Sequence, residues 1–250
     1  MLAVIGGSGV AGLDIMKVVR REVARTPYGA PSGPLVFGQI SQKPALFLAR
    51  HGPGHIHPPH CVNYRANLQA LKNGGASAII AIAVVGGIAD NAPPGTIVIP
   101  DQIIDYTHGR EHTFFDGADR RVEHVDFTLP YDESLRAQLL GAAQACGRRA
   151  LAAGVYAATQ GPRLETAAEI NRIAGDGGTL VGMTGMPEAA LARELALPYA
   201  HLCVVSNWAA GRGDSVNKIS HEDIFATIES SVADVLKIIE QFATTYSSDV

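Results

Sequence analysis

"AIIAIAVVGG", residues 78–87, decides the fold. Its first eight residues are all apolar and rich in isoleucine and valine, then a glycine pair ends the run. A run with no polar position has no solvent face, so it reads as a strand buried on both sides of a sheet. Similar runs lie on either side of it. "LAVI" (2–5) ends in Gly6-Gly7-Ser8-Gly9, and "ALFLA" (45–49) delivers Arg50 and His51. "TIVIP" (96–100), "GVYAAT" (154–159), "TLVGM" (179–183) and "AHLCVVS" (200–206) are strands of the same type.

Helical patterns separate the strands. They cover 64–75, stopped by Gly74-Gly75, then 133–146, a helix opening near Glu165, and 187–197 starting on Pro187. The last helix opens on a capping-box-like Ser220 and Asp223, and Ile224, Phe225, Ile228, Val232, Val235, Leu236 and Ile239 then recur at helical spacing. Residues 101–131 are polar and aromatic, and are expected to form long loops with one short strand. The alternation predicts one α/β domain over 1–250, a central mixed β-sheet flanked by helices. The strands are expected to end in loops at 6–9, 50–51, 84–87, 183–184 and 206–207 that carry glycine, small hydroxyl or charged residues, and a site is expected at the strand C-termini.

Composition narrows the classes of function. A hydrophobic content of 47% in 250 residues supplies a sizeable core, and a net charge of −4 gives no electrostatic reason to expect nucleic acid. No stretch approaches the length of a membrane span, and "MLAVIGGSG" shows neither a basic n-region nor an apolar stretch of signal length, so a soluble cytoplasmic protein is expected. Cys61, Cys146 and Cys203 are odd in number and scattered, which fits a reducing cytoplasm.

The segment "RHGPGHIHPPH" (50–60) holds four of the nine histidines. His51 and His55 have the spacing of helical zinc ligands, but Gly52, Pro53 and Gly54 between them forbid a regular helix. Glu22 is the only acidic residue between 15 and 89, so a metal is not expected. Two readings stay open from the residues alone, a polar loop or an anion site. Gly6-Gly7-Ser8-Gly9 can turn N–H groups and a hydroxyl toward an anion, or serve as a tight turn. Arg50 adds a bidentate donor suited to phosphate, and Thr184 another hydroxyl.

Six blocks in order carry a resemblance: "IGGSG" (5–9), "RHG…H…P…VNYRANLQALK" (50–72), "DQIIDYT" (101–107), "TQGPRLETAAE" (159–169), "VGMTGMPEAALARE" (181–194) and "VVSNWAAG" (204–211). The sequence resembles the trimeric purine nucleoside phosphorylase and methylthioadenosine phosphorylase family, and within it looks most like the bacterial methylthioinosine phosphorylases. The resemblance implies that Ser8, Arg50, His51 and Thr184 bind phosphate, with backbone around Val84. It places Met183 under the ribose and Leu164, Glu165, Asn207 and Ala209 around the base. It implies a homotrimer acting on a purine nucleoside, with phosphate as co-substrate and no cofactor, nucleic acid or membrane partner.

The base-binding block departs from adenosine-type members, which the family pattern gives two aspartates where this chain has Asn207 and Ala209. An Asn amide can donate to a 6-oxo oxygen and accept from N7–H. Glu165 stands where the 6-oxopurine enzymes carry a glutamate that accepts from N1–H. His51, Glu165 and Asn207 are therefore the expected catalytic group, acting on a 6-oxopurine. For the 5′ substituent, Ile224 and Phe225 match pocket positions and also fit the last helix's buried stripe. His124 resembles a residue that closes a neighbour's pocket. His221 stands near a histidine that nucleoside phosphorylases use on a 5′-hydroxyl, or is a solvent-exposed helix residue. Methylthioinosine is the expected substrate. Inosine or guanosine, methylthioadenosine, and a nucleoside-binding protein without turnover are the alternatives.

Overall fold

The computed structural model describes residues 1–10, 12–117 and 121–246, apart from the side chains of His221 and Asp223. Its spine is β5 (Ala78–Gly87), the apolar run of the opening. β1 (Leu2–Gly6) pairs parallel with the first part of β5. β11 (Tyr199–Trp208) runs parallel along the other edge. β10 (Leu180–Gly182) meets the far end, Gly86 and Gly87, antiparallel. β4 (Lys43–Ala49) lies parallel to β1, and β9 (Val155–Ala158) parallel to β10, so the sheet is mixed. β7 (Gln102–Asp105) closes the path beyond β9 and is the short strand expected within 101–131. β6 (Ile97–Val98) joins β11 to the short β8 (Ala150–Leu151).

An edge hairpin that the sequence patterns leave unread precedes β4. β2 (Met16–Glu22) and β3 (Leu35–Ile40) pair antiparallel, and β2 is exposed along nearly all its length. β3 turns into β4 through Ser41 and Gln42, both at positive φ, as a two-residue hairpin of right-handed twist requires.

Helices cover both faces. α1 (Tyr64–Asn73) is capped by the Asn63 side chain, which accepts from Ala66 N–H, and packs with α4 (Gly185–Glu194) on one face. α2 (Glu133–Ala145) is capped by Asp132 and packs with α5 (His221–Thr245) on the other. On α5, Ile228, Val235, Ile238, Ile239 and Phe242 are buried, so the expected stripe holds along most of the helix. Phe225 departs from it at 69% exposure.

α3 (Ala167–Gly175) opens on a full capping box. Thr166 accepts from Glu169 N–H, and Glu169 accepts from Thr166 N–H. Arg163 then pins Glu169 with two N–H donors. Glu165 therefore lies before the cap rather than in the first turn, which frees its carboxylate from the helix. Two of the expected loops are strand instead. Residues 84–87 stay within β5, and 206–207 within β11, where a bulge at Ser206 breaks the register between Val205 and Asn207.

Candidate active site

The C-terminal ends of β1, β4, β5, β10 and β11 converge on one cavity of about 870 Å³. Its wall includes Ser8, Arg50, His51, Val84, Leu164, Glu165, Met183, Thr184, Asn207 and Ala209, with Ile224 and Phe225 of α5 at the rim. Nearly every residue expected at the site is thus brought together. His124 is exposed on its loop and lines no part of this cavity. The side chains of His221 and Asp223 lie outside the described residues, so the Ser220–Asp223 cap and the 5′ role of His221 do too.

The inner end is a backbone cradle over a buried charge. A Cβ on Gly7 would come within 2.6 Å of the Ile82 carbonyl and 3.1 Å of Arg50 Nη1, so only glycine lets the loop lie this close to the guanidinium. Among the described residues, the Ser8 hydroxyl makes no hydrogen bond to the protein. Arg50 is fully buried. Its Nε donates to Glu188 Oε2 at 2.7 Å, Nη2 to Glu188 Oε1 at 2.8 Å, and Nη1 to Ile82 O at 2.9 Å. Burial opposes the charge, but the attraction and hydrogen bonds of Glu188 prevail and raise the pKa further above its ordinary value. Three of five N–H groups are used, which leaves one each on Nη1 and Nη2.

The histidine cluster resolves into one inward and three peripheral rings. His51 Nδ1–H donates to the His57 carbonyl at 2.8 Å, so Nε2 carries the lone pair. Burial, aided by the Arg50 charge, holds its pKa down at about 4, and the ring is neutral near pH 7. His55 stacks on it with centroids 4.1 Å apart, its own pKa lowered by burial and Arg50. Gly54 and His55 both take positive φ, which breaks the zinc-type helical geometry. Among the described residues no three His, Cys, Asp or Glu side chains gather as a metal would need.

At the other end, Glu165 Oε1 accepts from the Thr159 hydroxyl at 2.6 Å, and among the described residues no hydrogen bond occupies Oε2. Asn207 Nδ2 donates to the Trp208 carbonyl at 2.7 Å, while Oδ1 accepts from the Ser206 hydroxyl at 2.7 Å. A carbonyl oxygen only accepts, so the Trp208 contact fixes which end of the amide is nitrogen. Each end keeps one free position. Met183 lines the same cavity.

Two contributors escape sequence patterns. Glu188, read only as a helix residue, is fully buried behind Arg50. Arg110, from the loop after β7, is also buried. It donates to the carbonyls of Thr159, Gln160, Met183 and Met186, and so ties the β9 loop to the β10 loop. An arginine in a loop otherwise rich in histidine and aromatics was the one available signal.

A mixed sheet with a glycine cradle, a buried arginine and a cleft bearing Glu165 and Asn207 at its strand ends is an α/β enzyme site built to receive an anion beside a polar ligand. The model of the Phosphorylase superfamily matches residues 1–244, and the chain belongs to that family. It is 49% identical over 242 residues to the "Probable S-methyl-5'-thioinosine phosphorylase" of Xanthomonas campestris pv. campestris, covering 97% of this chain and 96% of the relative. It is 43% identical over 243 residues to the "6-oxopurine nucleoside phosphorylase" of Pyrococcus furiosus, covering 95% and 90%. The methylthioadenosine phosphorylase of Schistosoma mansoni, solved in complex with adenine, superposes with a TM-score of 0.93 at 30% identity, covering 97% of this chain and 90% of that one.

Proposed function

We propose that this protein cleaves the N-glycosidic bond of a 6-oxopurine nucleoside with phosphate, and that 5′-methylthioinosine is its substrate, giving hypoxanthine and 5-methylthioribose 1-phosphate. The observation that carries this reading is the pairing of Glu165 and Asn207 across one cavity, with Ala209 beside them. The free Oε2 of Glu165 accepts from purine N1–H. The free N–H of Asn207 donates to the 6-oxo oxygen, and as the C1′–N9 electron pair moves into the departing base and N7 takes a proton from solvent, the free Oδ1 lone pair of Asn207 accepts from that N7–H. Adenine has no N1–H, and its N1 lone pair would face the carboxylate. Mismatch at a site built for a hydrogen bond is worth about 10⁴-fold in selectivity.

Bond cleavage passes through a ribosyl cation of oxocarbenium character, by analogy with glycoside hydrolysis. Phosphate held by the Gly6–Gly9 loop, Arg50, His51 and Thr184 stabilises that cation from below and then captures C1′. Neutral His51 presents its Nε2 lone pair, which suits a phosphate oxygen that still carries a proton. Inorganic phosphate is the co-substrate, and no other cofactor takes part. Ile224, Phe225 and the mouth residue Ile56 form the apolar surround of the 5′-methylthio group.

The assembly we propose is a homotrimer in which the His124 loop covers a neighbour's cavity. Val122 and Leu129 on that loop, 56% and 50% exposed, and the open apolar mouth support it. The free thiols Cys61, Cys146 and Cys203 support a cytoplasmic location, and no described helix is long and apolar enough to cross a membrane. The decisive experiment is kcat/KM for methylthioinosine, methylthioadenosine, inosine and adenosine, each with and without phosphate. Methylthioinosine leading, with strict phosphate dependence, is the expected result. Equal rates on inosine would make this a general 6-oxopurine phosphorylase, and a lead for methylthioadenosine would overturn the role of Asn207. Cleavage is expected to persist in a chelator.

A further inference from the structure

Behind the cavity wall runs a chain of buried polar groups that the catalytic scheme does not use. Tyr199 Oη lies 2.7 Å from Glu188 Oε1 and 2.8 Å from His201 Nε2, and Tyr131 Oη lies 3.1 Å from His201 Nδ1. Arg50, Glu188 and His201 are fully buried, and Tyr131 and Tyr199 are 1% and 2% exposed.

Chemistry gives the chain one direction. The Glu188 carboxylate only accepts, so the Tyr199 hydroxyl spends its proton there. Its oxygen then accepts from His201 Nε2–H, which leaves Nδ1 to accept from Tyr131. The hydrogen bonds from Tyr131 to His201 to Tyr199 to Glu188 thus all point toward the carboxylate, so each polarises the next, and Arg50 donates to the same carboxylate from the other side. Burial keeps His201 neutral and both tyrosines protonated, in agreement with that assignment.

A second observation ties the chain to the other side of the anion site. The Tyr156 ring stacks on His201 with centroids 5.1 Å apart, and its hydroxyl receives the Thr184 N–H at 3.3 Å. A Cβ on Gly182 would sit 2.2 Å from that hydroxyl, so the β10 end is shaped around it. Tyr199 and His201 lie two residues apart on one face of β11, the strand that also carries Asn207.

We propose that Tyr199 and His201 are positioning residues for phosphate: they hold Glu188, and through it the two free N–H groups of Arg50, in the geometry that receives the anion. The Ile82 carbonyl and Glu188 fix the guanidinium, and the Tyr199 hydroxyl fixes Glu188 in turn, so without it the carboxylate that sets the plane of Arg50 loses its only other side-chain anchor among the described residues. This inference rests on the phosphorolysis reading for its kinetic form, but binding of inorganic phosphate alone tests it independently.

The test compares the full-length wild type with Y199F and Y131F, by phosphate KM, nucleoside KM and phosphate-induced thermal shift. Loss of the Tyr199 hydroxyl is expected to raise phosphate KM about tenfold, with nucleoside KM changed less than about twofold. Y131F, one step further from the anion, is expected to raise phosphate KM about two- to threefold. Adding Y131F to Y199F is expected to cost little more, because the chain is already cut. A Y199F protein that melts lower yet binds phosphate like the wild type would overturn the proposal. Should Y199F fail to fold, an unchanged phosphate KM in Y131F would overturn it equally. If the wild type shows no phosphorolysis, that reading fails alone, and the phosphate-induced thermal shifts of the variants still decide this one.

Discussion

The two ends of the cavity are built on opposite plans. At the inner end the Arg50–Glu188 pair is fully buried, and the polar groups behind it are partnered by Tyr199, His201 and Tyr131. At the mouth, Ile56, Leu164 and Phe225 are 68%, 37% and 69% exposed and touch water instead of core. The inner end is finished within one chain, whereas the mouth is an apolar surface waiting for a ligand or another subunit. Substitutions at the inner end should therefore cost stability as well as activity, and those at the mouth activity alone.

The largest effect is expected for Glu188→Gln. It removes the carboxylate that neutralises Arg50 and leaves a buried guanidinium without its counter-charge. Breaking such a pair from one side costs about 3–5 kcal/mol. Urea unfolding should show that loss, together with loss of phosphate-dependent turnover. A variant within about 0.5 kcal/mol of wild type would mean that the inner end is not the stability element described.

Asn207→Asp comes next, and acts on choice rather than on folding. On the proposed role of Asn207, a carboxylate at 207 would lose the N–H offered to a 6-oxo oxygen and gain an acceptor for a 6-amino group. The ratio of kcat/KM for methylthioinosine over methylthioadenosine should fall by about 10²-fold or more. Asn207 has intermediate exposure, so the melting temperature should move little. A ratio that stays put would place base choice elsewhere in the cavity.

Why the lining of the cavity was legible in the sequence while the buried chain behind it was not has a physical explanation. Gly6–Gly9, Arg50, His51, Met183 and Thr184 sit at strand ends, where polar residues break an apolar run and stand out. Glu165 and Asn207 gained meaning from ordered blocks, since a single Glu or Asn has no periodic signature. Tyr199, His201 and Glu188 lie inside a strand and a helix, where one polar residue among apolar ones reads as noise in the core pattern. Their meaning comes from pairing between residues as far apart as 50 and 188, and spacing does not encode that. The β2–β3 hairpin escaped for a related reason: β2 is exposed on both faces and has no alternation to read.

A smaller effect separates the neutral histidines from the mouth by pH. His51 has a folded pKa of about 4, against an ordinary value of 6.5. Between these values the unfolded chain binds a proton that the folded chain does not, so stability falls as pH drops through this window and levels off below it. His201, held neutral by burial, acts in the same sense. His51→Asn should flatten the slope of unfolding free energy against pH by up to about 1.4 kcal/mol per pH unit. An unchanged slope would mean that His51 is already protonated in the fold.

The smallest effect on folding is expected at Phe225, where the contrast between the two ends is sharpest. The ring projects from α5 into water at the cavity rim, so Phe225→Ala removes almost no buried surface, and stability should stay within about 0.5 kcal/mol of wild type. If the 5′-methylthio group packs there, KM for methylthioinosine should rise, and one lost apolar contact of this size corresponds to roughly tenfold. KM for inosine, whose 5′-hydroxyl gains little from an apolar wall, should rise less. Phosphate KM should not move, because nothing connects Phe225 to the chain behind Arg50. A matched rise for both nucleosides would assign Phe225 to closing the mouth rather than to reading the 5′ group. A fall in stability that depends on protein concentration would show instead that the ring is buried against a second copy of the chain.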